Sequence, residues 1–251
     1  MHIPRSGRRM NKTAIAFGTF DGVHRGHQEI INAMLTAAEG RGLDPLIYTF
    51  SNHPAGLFGK SFSMIMTDGE RIAALKGFAP VAAERLDRQF AATEPEDFVR
   101  HMAEKYRMGA AVAGFNYTFG SRGAGNMDTL RRLGGKYGFE VYEIPALMYG
   151  GEPVSSTRIR ACIERGDIAG ANAMLGHELE LSCKETLQNG RAVLKVADGL
   201  VLPAPGRYIT EAEGRRLVCG VLPGGSIEPE EPLRGIKKLR FIGRIGRKSQ
   251  E

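Results

Sequence analysis

Along the first two thirds of the chain, short apolar runs alternate with stretches in which apolar residues recur every three or four positions. AIAFGTF (14–20) is short, apolar and stopped by glycine, and reads as a buried strand. From His24 to Glu39, the residues Ile30, Ile31, Met34, Leu35 and Ala38 form a helical stripe. Gly40 and Gly42 are expected to end that helix. PLIYTF (45–50), AAVAGF (110–115) and VYEIP (141–145) read as further strands, with helical patterns over about 69–77, 95–107 and 126–137. Strands alternating with helices, at spacings too long for hairpins, predict an α/β domain with a parallel sheet and helices on both faces. After about residue 178 the texture changes. ELELSCKETL, RAVLKVADGLVL, GRYITEAEG and RRLVCGVL are strand-like pieces broken by Gly and Pro turns, which predicts a small, mostly β second domain. The expected organisation is a basic extension over 1–12, a main domain over 13–177 and the β domain over 178–251 with a basic tail.

Composition changes this picture little. The 251 residues suit one large domain or a main domain with a smaller companion. A net charge of +6 favours anionic partners such as nucleotides, phosphorylated metabolites or RNA. No apolar run is long enough to span a bilayer, and Met1–Lys12 lacks the apolar core of a signal peptide. The expected compartment is the cytoplasm, with no membrane partner. Cys162, Cys183 and Cys219 form no CxxC pair and read as buried thiols.

Candidate chemistry starts at GTFDGVHRGHQEII (18–31). A strand, a glycine turn and a helix N-terminus together make an anion site, because the first N–H groups are unpaired and the helix dipole is positive there. His24 and His27 share one face of the first turn, and Gly26 opens the backbone between them. As a zinc pair they lack the glutamate of HExxH and a third ligand. In VSSTRIR (154–160), Ser155, Ser156 and Thr157 offer N-caps. Arg158 and Arg160 then place positive charge in a first turn, at about 0.3–1 kcal/mol each unless an anion compensates. GFNYTFGSRGAGN (114–126) follows an apolar strand at its C-terminal end, where open α/β sheets bind ligands. Its aromatics Phe115, Tyr117 and Phe119, with four glycines, suit a flat ligand beside a phosphate, although a plain turn fits as well. It is neither a Walker A loop nor GxGxxG. His53, in YTFSNHP, reads as a turn residue or a ligand.

In order and spacing these motifs resemble the adenylyltransferase domain of the prokaryotic bifunctional riboflavin kinase/FMN adenylyltransferase family. Gly18, Phe20, Asp21, Gly22, His24, Gly26 and His27 match its G-x-F-D-G-x-H-x-G-H. Thr49, Phe50, His53 and Pro54 match its TF-x-x-HP loop, Asn116 through Asn126 its aromatic glycine-rich loop, and Ser155 through Arg160 its SSTRIR. The resemblance covers roughly 13–177, continues through RGDIAGANAMLGH, and implies a Rossmann-like nucleotidyltransferase fold. It implies AMP transfer from ATP to FMN, with Mg²⁺ accompanying ATP and no dedicated protein metal ligands. The catalytic residues would be His24, His27 and Arg158. Gly18, Phe20, Asp21, Gly22, Gly26, Ser155, Ser156 and Thr157 would hold ATP, and His53, Asn116, Tyr117, Phe119 and Asn126 the flavin. Asn116 and Asn126 stand where the family often has Asp. The family's kinase motif GFPTAN does not occur here. GLVLPAPGRYITEAEGRRLVCGV nevertheless resembles part of its barrel, and KKLRFIGRIGRK its closing helix. The expectation is a shortened, degenerate kinase barrel without riboflavin kinase activity. Its basic tail, Arg234 to Lys248, is read as a solvated helix face rather than a nucleic-acid contact. Two alternatives stand beside this reading: an adenylyltransferase for another phosphorylated acceptor, and a catalytically weak flavin- or nucleotide-binding regulator.

Overall fold

The computed structural model describes residues 11–53, 63–188, 191–231, 235 and 237–246. Most of the basic extension, Pro54, and Arg234, Arg247 and Lys248 of the tail lie outside the described residues. The chain divides into two compact units.

The first unit comprises the chain up to Gly18 together with Glu29–Phe50 and Leu75–Pro145. Its centre is a five-stranded parallel sheet in the order β3-β2-β1-β4-β5. The strands are β1 (Thr13–Phe17), β2 (Asp44–Phe50), β3 (Val81–Glu84), β4 (Met108–Gly114) and β5 (Glu140–Ile144). β1 and β4 lie in the middle and are buried on both faces, which explains their unbroken apolar runs. With the helices α1 (Arg25–Arg41), α4 (Pro95–Lys105) and α5 (Met127–Tyr137) the arrangement is Rossmann-like. Two further helices are α2 (Asp68–Lys76) and α3 (Arg88–Ala91). The strand order reverses between β1 and β4, so Gly18 and Phe115 follow strands on either side of the switch point. Phe17, Tyr48 and Phe98 meet edge-on or tilted at 5.7–6.1 Å and anchor the core.

The second unit comprises Thr19–Gln28, Ser51–Ala74 and the chain from Ala146 onward. It contains a two-residue hairpin, β6 (Met148–Tyr149) and β7 (Glu152–Pro153), turned by Gly150 and Gly151 at φ 58° and 83°. Helices α6 (Ser156–Arg165) and α7 (Ile168–Leu175) follow. Six antiparallel strands then close a barrel in the order β10-β11-β12-β9-β8-β13. They are β8 (Leu179–Gln188), β9 (Arg191–Val196), β10 (Gly206–Ala212), β11 (Arg215–Val221), β12 (Ser226–Pro229) and β13 (Lys238–Arg244). Ile159, Ile163 and Leu175 share a core with Leu181, Leu239 and Phe241 of the barrel. Among the described residues no helix is long and apolar enough to cross a membrane.

Three sequence expectations need correcting. The tail segment read as a helix is β13. Its residues alternate, with Leu239 and Phe241 fully buried while Lys238 is exposed and Arg240 partly so, a period of two rather than 3.6. This strand closes the barrel, so the shortened barrel is a complete one in its strand pairing. Gly40 does not end α1; the helix runs to Arg41 over an exposed glycine, and Gly42 stops it at φ +65°. The edge strand β3 was not foreseen. It is four residues long and half of them are alanine, which carries little strand signal.

Candidate active site

Residues 19–28 form the turn that carries the two histidines. Three of its residues have left-handed backbone: Phe20 (φ 57°), Gly22 (φ 78°) and Val23 (φ 41°). For Phe and β-branched Val this is strained, by roughly 1–3 kcal/mol each. The surroundings hold it. Thr19 O accepts from Arg71 Nη1 at 2.9 Å and Phe20 O from Val23 N–H at 3.0 Å. Asp21 O accepts from Ser156 Oγ at 2.9 Å, and Gly22 O lies 3.0 Å from His177 Nε2. Val23 O accepts from Gln28 Nε2 at 3.0 Å. Every carbonyl from Thr19 to Val23 is thus engaged, which leaves α1's N-terminal amides as the polar groups the turn can offer to an anion.

His24 is the N-cap of α1. Its Nδ1 accepts from the N–H of His27 at 3.2 Å, so in the neutral ring the proton sits on Nε2 and can be donated outward. The His27 ring stacks on it, centroids 3.5 Å apart and 16° between planes, and Phe20 meets His27 edge-on. Burial, aided by Arg160's charge, lowers His24 to about 4. Burial, then the charges of His24 and Arg71, also hold His27 well below its ordinary value. Both rings are neutral near pH 7. His27 Nδ1 is buried with no hydrogen-bond partner among the described residues. A Cβ at Gly26 would sit 3.3 Å from the His24 ring, so that glycine makes room for the imidazole.

Asp21 is buried, at 1% exposure. Its Oδ1 accepts from Ile65 N–H (3.0 Å) and Met66 N–H (3.3 Å), and its Oδ2 pairs with Arg160 Nη1 at 2.9 Å. Burial pushes its carboxyl up, and these N–H groups and the two arginines pull it back. Arg160 Nη2 also donates to Thr157 Oγ1. Arg158 goes elsewhere: its Nη1 donates to Tyr149 O (2.7 Å) and Glu152 O (2.9 Å), and its plane lies over the Tyr149 ring. Ser155 is the N-cap of α6. Of the two arginines, then, Arg160 is the one beside the histidine turn. His53 is half-buried and held at about 4 by burial and by Arg71 and Arg160, with Asp68 opposing.

The aromatic loop belongs to the first unit. Phe119 is buried; it stacks on Tyr117 at 5.6 Å and contacts Phe98, while Tyr117 lies against Phe17. Gly125 backs directly on the Phe119 ring, where a Cβ would approach to 2.7 Å. Asn126 is the N-cap of α5, accepting from Thr129 N–H at 2.9 Å. Phe115, Asn116, Thr118, Arg122 and Asn126 are the exposed aromatic and polar residues of the loop.

Sequence reasoning missed Arg71, at 1% exposure, and the backbone of Ile65 and Met66. Neither carries a local signal: an arginine in ERIAALK looks like an exposed helix residue.

The family model described as FAD synthetase matches residues 7–158. The bifunctional riboflavin kinase/FMN adenylyltransferase of Bacillus subtilis is 32% identical over 66% of this chain and 54% of its own length. The Escherichia coli K12 counterpart is 29% identical over 67% of this chain and 55% of its own length. This chain therefore spans about half the length of these bifunctional relatives. The FAD synthetase of Listeria monocytogenes is 30% identical over 84% of this chain and 86% of its own. A solved structure titled a macrolide-efflux protein from Streptococcus pneumoniae superposes with a TM-score of 0.78 at 25% identity, covering 94% of this chain and 86% of that one. The strained histidine turn, the SSTRIR helix packed against it and the family match agree: this chain belongs to the FAD synthetase family.

Proposed function

We propose that this protein transfers AMP from ATP to FMN, giving FAD and pyrophosphate. The observation that carries the reading is the neutral, stacked His24–His27 pair at the N-terminus of α1, beside Arg160. A phosphate oxygen of FMN attacks the α-phosphorus as the bond to the β-phosphate oxygen breaks, and pyrophosphate leaves with the electrons. No covalent enzyme intermediate is required. His24 Nε2–H, the helix amides and Arg160 supply donors for the charge that develops on the α- and β-phosphates. Neutral imidazoles donate without giving up a proton they need to keep.

Mg²⁺ would neutralise the triphosphate. Asp21, the carboxylate of the turn, is already engaged with Ile65, Met66 and Arg160, and no cluster of three or more metal-ligating side chains forms among the described residues. We propose that this ion is carried in on ATP phosphates and water. Ser155, Ser156 and Thr157 would shape the phosphate site chiefly by holding the turn and capping α6. For the acceptor, the resemblance supports the aromatic loop, in which Phe115 and Asn116 are exposed while Tyr117 and Phe119 stack on each other. The barrel lacks the PTAN string, and we propose that FMN must arrive ready-made.

The test is incubation of the full chain with ATP, Mg²⁺ and FMN, following FAD. FAD is expected with FMN and not with riboflavin. Binding of ATP and FMN without turnover would favour a regulatory role instead. FMN production from riboflavin and ATP would overturn the reading of the barrel.

A further inference from the structure

Arg71 is the buried cationic side chain among the described residues, at 1% exposure. It lies in the first turn of α2, where its Nη2 meets Asp68 Oδ1 at 2.7 Å and its Nη1 reaches Thr19 O at 2.9 Å. Asp68 is itself partly exposed. The helix beneath it is fixed with care. Glu70 and Thr67 form a reciprocal capping box, with Thr67 N–H and Oγ1 bonded to Glu70 Oε2. Glu70's other oxygen accepts from Ser182 Oγ of β8 at 2.6 Å. One face of the α2 N-terminus is thereby anchored to the barrel, while Arg71 points to the turn.

We propose that Arg71 is a positioning residue for adenylyl transfer: its guanidinium fork locks the Thr19 carbonyl, and with it left-handed Phe20 and the two imidazoles, in the geometry that receives the triphosphate. The electrostatics agree. The groups facing His27 are His24 and Arg71; those facing His53 are Arg71, Arg160 and Asp68; Arg71 and Arg160 both face Asp21. A fixed cation here attracts phosphate while discouraging protonation of the imidazoles, which an incoming polyanion would otherwise promote.

This inference rests on the proposed reaction, and the experiment separates the two. FAD formation by the wild-type chain is measured first, then by Arg71→Lys, Arg71→Met and Asp68→Asn. Arg71→Lys keeps charge but loses the fork. It is expected to lower kcat roughly 10–100-fold, the scale of a misplaced reacting group, with KM for ATP changed by less than about threefold. Arg71→Met should add an upward shift of the acid limb of the pH profile. Asp68→Asn, which leaves Arg71 in place, should lower kcat less and leave the acid limb where it is or lower. Imidazole NMR titration without substrate gives a second readout: the His53 midpoint rises in Arg71→Met and stays put in Arg71→Lys. Wild-type kcat in folded Arg71→Lys, or a raised KM with unchanged kcat, overturns the positioning role. An unmoved His53 midpoint in folded Arg71→Met overturns the electrostatic part. If Arg71→Met does not fold, Arg71→Lys and Asp68→Asn decide by the kcat criterion. A wild-type chain that makes no FAD refutes the reaction instead, and the titration then stands alone.

Discussion

Removing Arg160 should destabilise the protein in a pH-dependent way that reports on Asp21. Arg160→Met keeps the hydrocarbon stem and deletes the charge. Asp21 then loses its 2.9 Å partner while remaining 2% exposed at the side chain. Breaking a buried pair by removing one partner typically costs about 3–5 kcal/mol. Here the cost has a ceiling, because the carboxylate can take a proton instead. Protonating it at pH 7, against an unfolded value of about 3.9, costs about 1.4 kcal/mol per pH unit, or about 4 kcal/mol. The N–H bonds from Ile65 and Met66 and the charge of Arg71 persist, so about 3 kcal/mol at pH 7 is expected. At pH 5 the same ceiling is about 1.5 kcal/mol. The sign follows from linkage. Asp21 in the variant has a folded value raised above the unfolded one, so the folded state holds the extra proton and stability falls as pH rises through that window. Urea denaturation of wild type, Arg160→Met and the double variant with Asp21→Asn, from pH 5 to 8, measures this. The double variant should recover most of the loss and flatten the pH dependence, since an Asn oxygen still accepts from the two N–H groups. A loss that is the same at pH 5 and 8, or below about 1 kcal/mol at pH 7, would show that Asp21 does not depend on Arg160.

Other expectations follow from the same geometry. His27→Ala should lower kcat/KM for FAD formation by roughly 10²-fold or more, as for a lost transition-state donor, measured by steady-state kinetics. Arg158→Ala should affect turnover much less than Arg160→Met, since Arg158 is engaged with the 149–153 hairpin; the two kcat values side by side decide it. His24 and His53 are held at about 4, against 6.5 ordinarily. The unfolded chain therefore binds protons first, and stability should decline as pH falls from about 6.5 toward 4, less steeply in His24→Asn by denaturation at stepped pH. Asn126→Ala should cost about 1 kcal/mol by chemical denaturation, and Asn126→Asp almost nothing, because either oxygen caps α5.

Much of the first unit was legible because burial on both faces of β1 and β4 leaves uninterrupted apolar runs, and α5 has a capping Asn and a strong stripe. β13 was misread because a basic segment with few apolar residues supports two periods. Leu239 and Phe241 are two apart, as a strand requires, but Arg240 between them and Lys237 and Lys238 before them are good helix formers. What settles the question is the pairing of β13 with β8 and β10, which brings together residues some 30–60 positions apart in sequence. Asn126 shows the same limit in another form. The resemblance implies a flavin contact for it, and its Oδ1 also caps the helix it starts, a role that the sequence did not single out.

The resemblance implies a catalytic role for Arg158, whereas it is Arg160 that pairs with Asp21 of the histidine turn; which arginine lies there is not legible in the sequence, and the reason is geometric. A helix turns by 100° per residue. Ile159, Cys162 and Ile163 make the buried face of α6, and Ile159 lies close to its centre. Arg158 and Arg160 therefore flank that face at about 100° on either side, as near mirror images. Amphipathic pattern and charge treat them alike; Arg158 sits in the first turn, where the dipole disfavours it, and Arg160 just past it. The symmetry is broken only by what lies on either flank. On one side is Asp21, presented by a turn that Ile65 and Met66 hold from outside the motif; on the other are the carbonyls of a Gly-Gly hairpin. Arg160 has the carboxylate and stands beside the histidines, and Arg158 has the carbonyls and Tyr149. An SSTRIR string fixes that two cations flank a core face, and the tertiary position of one aspartate decides which of them stands beside the histidine turn.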